Sequence, residues 1–240
     1  MESYCEIQKT GQYINVGIGS AGVKIADSIF QQLCHEHNIN HDGSSKQDND
    51  SDLKAAFFDE TKEGLFVPRN VFIDSEPFDI DRITNSQTGR LYNPYNSING
   101  KESTCFYTRS AYTVGREYID AALDRVRIAA EKLDNFQGFT VHGSTVGGFG
   151  GFHDTFMERL SVMYGHKIKI SFMEYPSPNE SNHVLDCLNA IQSTHSILEH
   201  NDLTILWQNE KLNDICGNML DTYDPNYNDI NKLLAMGFSD

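Results

Sequence analysis

Apolar residues recur at the three-to-four-residue interval of an α-helix in six stretches of this chain. The first carries Val23, Ile25, Ala26, Ile29, Phe30, Leu33 and Cys34, and the second is built on Ile119, Ala122, Leu123, Val126, Ala130 and Leu133. Phe152, Phe156, Met157, Leu160, Met163 and Tyr164 make the third, and Val184, Cys187, Leu188, Ile191 and Leu198 the fourth. The last two use Leu212, Ile215, Cys216, Met219 and Leu220, then Tyr227, Ile230, Leu233 and Leu234. Between them, short apolar runs at 13–18, 71–74, 138–142, 168–175 and 203–207 read as strands. Strands that alternate with helices predict an α/β fold, a Rossmann-like parallel sheet with helices on both faces. Such a sheet presents ligands with the loops at the carboxyl ends of its strands, so chemistry is sought there.

Residues 41–52 contain no apolar side chain, and 41–54 is expected to be a mobile surface loop inserted within one domain spanning 1–240. The sixth helical stretch reaches Phe238 and leaves an apolar face that something should cover. At 240 residues and 39% apolar composition the chain can close a core. Its balance of 19 basic against 34 acidic residues, a net −15, opposes nucleic acid as a partner. No apolar run approaches the roughly 20 residues that span a bilayer, and the first residues lack the pattern of a secretory signal. No membrane association is expected, and the chain should be soluble and intracellular. Cys5, Cys34, Cys105, Cys187 and Cys216 form no C-x-x-C pair and read as reduced thiols, mostly core filler.

Two glycine clusters follow predicted strands and open predicted helices. Gly17-Ile-Gly19-Ser-Ala-Gly22 fits G-x-G-x-x-G, in which bare backbone approaches phosphates at a helix amino end. A dinucleotide reader would also want an acid about 20 positions on, at the end of a second strand. Asp42, the nearest candidate, sits in polar sequence with no strand before it. The second cluster, Gly143-Ser-Thr-Val-Gly147-Gly148-Phe-Gly150-Gly151, supplies amides that can bend toward an anion. Two such loops on one sheet make phosphate binding the leading class, against the plain alternative of two flexible turns. Asp74 and Glu76 leave an apolar strand where carboxylates can hold magnesium opposite a polyphosphate, or Glu76 can simply favour a helix start before Pro77. Asn209, Tyr227 and Asn231 flank the last two helices. An amide can pair with a purine edge and a phenol can stack on its face, although caps and core are the plainer roles. Among the nine histidines, His35, His37 and His41 do not share a helix face, while His142 and His195 read as packed or hydrogen-bonded. No nucleophile stands at motif spacing from a base.

Read together, these blocks resemble the tubulins, the alpha type in particular. Phe152-His-Asp-Thr-Phe-Met-Glu-Arg-Leu-Ser-Val-Met-Tyr-Gly165 is similar to the family helix that runs into M-E-R-L-S-V-D-Y-G. Tyr175-Pro-Ser-Pro178, Thr194-His-Ser-Ile-Leu-Glu-His200 and Asn209-Glu-Lys-Leu-Asn-Asp-Ile-Cys216 resemble Y-P-A-P, T-H-T-T-L-E-H and N-E-A-I-Y-D-I-C. Val67-Pro-Arg-Asn-Val-Phe-Ile-Asp-Ser-Glu-Pro77 and Gly100-Lys-Glu102 also match, in order and at almost unchanged spacing. The resemblance implies the amino-terminal GTP-binding domain of the tubulin and FtsZ fold. It assigns a GTP or GDP ligand to Gly19, Ser20, Lys24, Asp74, Glu76, Gly143, Gly147, Gly148, Asn182, Asp186, Asn209, Tyr227 and Asn231, with Glu76 a candidate for magnesium. It covers the first half of a tubulin, so the second domain and its hydrolysis-promoting acid are expected to be absent, leaving at most a weak GTPase.

The chain departs from the family inside the pocket. Where tubulins write G-G-G-T-G-S-G it has Thr145-Val-Gly-Gly-Phe-Gly-Gly151, so Val146 and Phe149 replace glycines and Gly148 replaces the threonine. A side chain there is expected either to block close amide approach or to strain the backbone by about 1–3 kcal/mol per site. Ser20 and Lys24 stand for glutamines, with Lys24 expected to compensate by meeting a phosphate, and Asp186 shortens the sugar-contacting glutamate. Asp74, Glu76, Asn209, Tyr227 and Asn231 keep the family identity. The expectation is a cytoplasmic, cytoskeletal protein with weakened nucleotide binding and tubulin or the microtubule lattice as partner. Two alternatives are a fragment or incomplete gene model of an ordinary alpha-tubulin, and a dinucleotide-dependent enzyme using the Gly17–Gly22 loop.

Overall fold

Strand β1 (Gln12–Ile18) is apolar on both faces because it lies at the centre of a sheet covered on both sides. The computed structural model describes residues 11–45, 51–179, 183–219 and 225–239. In chain order β1 is followed by α1 (Gly19–Glu36), α2 (Ser51–Lys54), β2 (Phe58–Glu60), β3 (Phe66–Pro68), β4 (Asn70–Asp74), α3 (Phe78–Thr84), β5 (Ser97–Asn99), α4 (Tyr107–Arg109) and α5 (Gly115–Ala130). Then come β6 (Phe136–Ser144), α6 (Gly150–Met163), β7 (Ile168–Glu174), α7 (Val184–His200), β8 (Leu203–Trp207), α8 (Asn209–Met219) and α9 (Tyr227–Ser239). The main sheet is six-stranded, ordered β5-β4-β1-β6-β7-β8, and every pairing in it is parallel. This is the Rossmann-like architecture the periodicity predicts.

The period of two divides β1 between two cores. Ile14, Val16 and Ile18 join Val71, Ile73, Phe139 and Val141 under α5 and α6, where Phe152, Phe156 and Leu160 fill the space. The opposite face packs Phe30, Ile29 and Leu33 of α1 with Phe72, Phe58, Tyr92 and Ile230 of α9. His142 also lies on that face, fully buried between Phe172 and Phe238, and its Nε2 accepts from the Asn15 amide at 2.9 Å. Burial drives its pKa down to about 3, so the ring is neutral at physiological pH. His142 is thus packed and hydrogen-bonded as expected, whereas His195 is exposed on α7.

The described parts of 41–54 carry local structure. Residues 40–44 form a closed turn, Ile39 bridges Ser45, and 51–54 make the single turn α2. Lys54 is buried, its Nζ donating to Ser45 Oγ at 2.7 Å and lying over the Phe66 ring. Polar composition concealed this because a lysine stem supplies the apolar contact. Positions 46–50 lie outside the described residues.

The small β2–β3 hairpin was not anticipated either. It hangs on Arg69, which is 2% exposed and donates to the carbonyls of Tyr13, Ala55, Ala56 and Phe58 and to the Asp59 carboxylate. Of the thiols, Cys34 and Cys216 are buried, while Cys105 and Cys187 are exposed. Among the described residues, no helix is long and apolar enough to cross a membrane.

Candidate functional site

The carboxyl ends of β1, β4 and β6 open into a cavity of about 400 Å³, and a second of about 320 Å³ lies beside it. Ser20, Ala21 and Glu174 line both, so the two share a wall. The first cavity receives the amino ends of α1 and α6, two long helices whose leading amides carry partial positive charge. Gly19, Ser20, Gly147 and Gly148 line it, with Asp74 and Glu76 opposite. The second brings together Lys24, Asn209, Tyr227 and Asn231 with Ser20. Residues distant in sequence therefore line two adjoining cavities.

Two of the assigned positions that are described stand apart. Gly143 is buried at the end of β6 against Met173 and His153 and lines neither cavity. Asp186 sits in the first turn of α7 and also lines neither. Asn182 lies outside the described residues.

Lys24, which the resemblance sets near a phosphate, is paired here with a carboxylate. Its Nζ is 3.0 Å from Asp79 Oδ2 and 2.8 Å from Ser20 Oγ, in the wall of the second cavity. Asp79 is nearly buried, and a buried carboxylate holds the nearest cation because leaving it unpaired costs several kcal/mol. Lys24 thereby ties α1 to α3.

The second loop bends without strain. Phe149 has φ −82°, open to any residue, and the positive φ values at the site fall on Gly19 (72°) and Gly147 (85°). Thr145 and Val146 are held back toward the sheet, Thr145 N donating to Glu174 O at 2.9 Å and Val146 N to Ser144 Oγ at 3.0 Å. The amides of residues 147–151 donate to no described residue. Steric encroachment, the other expected effect, is present: the Phe149 ring stacks on Phe152 at 4.9 Å and lies over Gly19, where a Cβ would stand 3.4 Å from it.

Gly148 is fixed by proximity. A Cβ there would meet Thr104 O at 2.3 Å and the Cys105 carbonyl carbon at 2.5 Å. Asn189 locks this contact, donating to Cys105 O and Gly147 O and accepting from Tyr107 N. Nothing in the helical period of α7 marks Asn189, and only its burial reveals the role. Gly148→Thr, which restores the family residue, is expected to destabilise the fold by about 2–3 kcal/mol rather than repair the loop. A urea midpoint equal to that of the unsubstituted chain would contradict this.

Electrostatics divide the first cavity. Burial, reinforced by Asp79 and Glu76, raises the Asp74 carboxyl to about 6. Carboxylates thus face amide-rich helix starts across the cavity. Asp42 ends no strand; its side chain accepts from Ser44 in the 40–44 turn, which leaves the dinucleotide alternative without its acid.

A parallel sheet whose glycine turns deliver two helix amino ends into one cavity, with amides and a phenol beside it, defines an α/β domain of the Rossmann-like class. The comparisons narrow that class. Residues 12–217 match the model of the Tubulin/FtsZ family, GTPase domain, and the chain belongs to that family. It is 40% identical over 232 residues to the tubulin alpha-3 chain of Zea mays, covering 94% of this chain and 52% of that one. It is 40% identical over 228 residues to the tubulin alpha-2 chain of Caenorhabditis elegans (93% and 51%) and over 234 residues to the tubulin alpha-1B chain of Physarum polycephalum (95% and 52%). The chain spans about half the length of the curated relatives it matches.

Proposed function

We propose that this domain binds a guanine nucleotide, with its phosphates at the starts of α1 and α6 and its base in the second cavity. It acts in the cytoplasmic cytoskeleton as a structural or regulatory tubulin-like component, with tubulin or the microtubule lattice as partner. The observation that carries the reading is the shared wall of Ser20, Ala21 and Glu174, which joins an amide-lined cavity to one lined by Asn209, Tyr227 and Asn231. In the base half Asn209, Tyr227 and Asn231 keep the family identity, whereas the phosphate half is altered at Val146, Gly148 and Phe149.

Magnesium fits the carboxylate side. Asp74, Glu76 and Asp79 offer hard oxygen donors at the first cavity, and Asp79 Oδ1 is buried without a partner. Among the described residues no three His, Cys, Asp or Glu side chains already converge as a metal site, so phosphate oxygens would complete the ion's shell.

The test is to purify the chain without added ligand, release what it carries and identify it, then compete with GDP, ADP and NAD. Guanine nucleotide is expected; an adenine dinucleotide, or no competition by GDP, overturns the reading. Co-sedimentation with microtubules tests the partner. Phe149→Gly is expected to tighten GDP about tenfold, since it clears the ring from Gly19 while leaving an allowed backbone. Val146→Gly should change little, because the Val146 amide stays bonded to Ser144. Titration with fluorescent GDP separates the two variants.

A further inference from the structure

Among the described residues no lysine or arginine lines the first cavity, although Asp74, Glu76, Asp79 and Glu174 all contribute to it. A nucleotide phosphate entering there meets helix amides and several carboxylates. His153, in the first turn of α6, is the lining side chain that can become positive.

His153 is 1% exposed and held from behind. Its Nδ1 lies 3.2 Å from Asp154 Oδ1, and Asp154 is itself buried beside the Tyr107 phenol. The Nε2 atom is buried with no partner, as is the Thr104 hydroxyl, and both residues line the cavity. The carbon next to Nε2, Cδ2, faces the end of β6, where a Cβ on Gly143 would stand 3.4 Å from it. That edge of the ring therefore lies beneath the β6–α6 turn. Asp154 fixes the tautomer: with Nδ1–H donating to the carboxylate, Nε2 carries a lone pair. A lone pair repels a phosphate oxygen, whereas a proton on Nε2 makes a charge-assisted donor.

The geometry points to His153 as a phosphate-anchoring residue of this chain that takes up a proton when the nucleotide binds. The inference rests on the proposed guanine-nucleotide site. One proton moves from solvent buffer to Nε2, the imidazolium donates through Nε2–H to a phosphate oxygen, and Nδ1–H stays on Asp154. Asp154 on α6 and the Tyr107 phenol on α4 stand behind the ring, and Asp74 at the end of β4, Glu76, Asp79 on α3 and Glu174 at the end of β7 line the same cavity. Lys24, in the wall of the neighbouring cavity, is committed to Asp79. His153 thus supplies in charged form the donor that Gly148 lacks. Asp154 is a positioning residue, because it acts through the ring.

Calorimetric titration of the intact chain with GDP, repeated at pH 7.5 in buffers of different ionisation enthalpy, counts the protons exchanged. Net uptake is expected with GDP and none with guanosine. His153→Gln should abolish the uptake and lower the GDP-to-guanosine affinity ratio about tenfold. GDP binding without proton uptake in the unsubstituted chain overturns the inference while leaving the nucleotide site standing. Equal uptake in His153→Gln assigns the proton to another group and overturns it equally. Absence of any GDP binding instead removes the proposed function itself. Should His153→Gln fail to fold, Asp154→Asn takes its place: reduced uptake with GDP supports the inference, and uptake equal to that of the unsubstituted chain overturns it.

Discussion

Asn209→Ala is expected to remove a ten- to hundredfold preference for GDP over ADP while leaving the fold intact. Asn209 begins α8, is half-buried, and donates through Nδ2 to the Glu174 carboxylate. Its Oδ1 is then turned outward as an acceptor in the second cavity. Guanine offers N–H donors on its Watson–Crick edge, whereas adenine places a ring-nitrogen lone pair there. An acceptor that meets a donor gains a hydrogen bond, and one that meets a lone pair is left buried and unsatisfied. The difference is about 1–3 kcal/mol for one such contact, which sets the expected range. Tyr227, 70% exposed, offers a ring face that does not discriminate between purines, so the alanine variant should keep residual affinity for both. Parallel titrations with GDP and ADP check this; an unchanged ratio would mean that another residue reads the base edge.

The second large effect concerns acid stability, where two buried groups oppose each other. His142 has its pKa lowered to about 3, so between that value and its ordinary 6.5 the unfolded chain binds the extra proton. Its contribution to stability is present above pH 6.5 and is lost as the pH falls, by about 3 kcal/mol between pH 7 and pH 4. Asp74 is raised from 3.8 to about 6, so the folded chain binds the extra proton in that window. Acidification over the same interval returns about 2 kcal/mol. The two nearly cancel in the unsubstituted protein. Relative to it, His142→Gln should gain about 3 kcal/mol on going from pH 7 to pH 4, because glutamine can still accept from Asn15 and takes up no proton. Asp74→Asn should lose about 2 kcal/mol relative to the unsubstituted chain over that range. Urea unfolding at both pH values measures each difference, and parallel pH profiles for all three proteins would show that neither group is buried as described.

The helices and central strands were legible because their apolar residues keep one period over many residues. In α1, Val23, Ala26, Ile29, Phe30 and Leu33 all end in the core, and β1, β4, β6, β7 and β8 fall within a residue or two of their expected bounds. The hairpin was not legible, since strands of three residues show no alternation and its anchor is a single arginine whose partners are backbone carbonyls. The same limit applies at the site. Family identity located Asn209, Tyr227 and Asn231, and the structure places them in one cavity. It could not show that Lys24 turns to Asp79, that Phe149 keeps an ordinary backbone, or that His153 lines a cavity without lysine or arginine among the described residues. Those facts are set by distances between segments far apart in the chain, which no local pattern encodes.

Gly148 carries a consequence for the history of this pocket. Its α-carbon has let the 104–106 strip settle into the space a side chain would need, and Asn189 has pinned the arrangement from across α7. Any larger residue there now collides with main chain, which has no rotamer to retreat into. A threonine at 148 is therefore closed to a single substitution while the 104–106 strip stays where it is. Evolution would have to withdraw the neighbouring strip first, so the missing hydroxyl is entrenched, and selection for phosphate contacts would act on other positions instead.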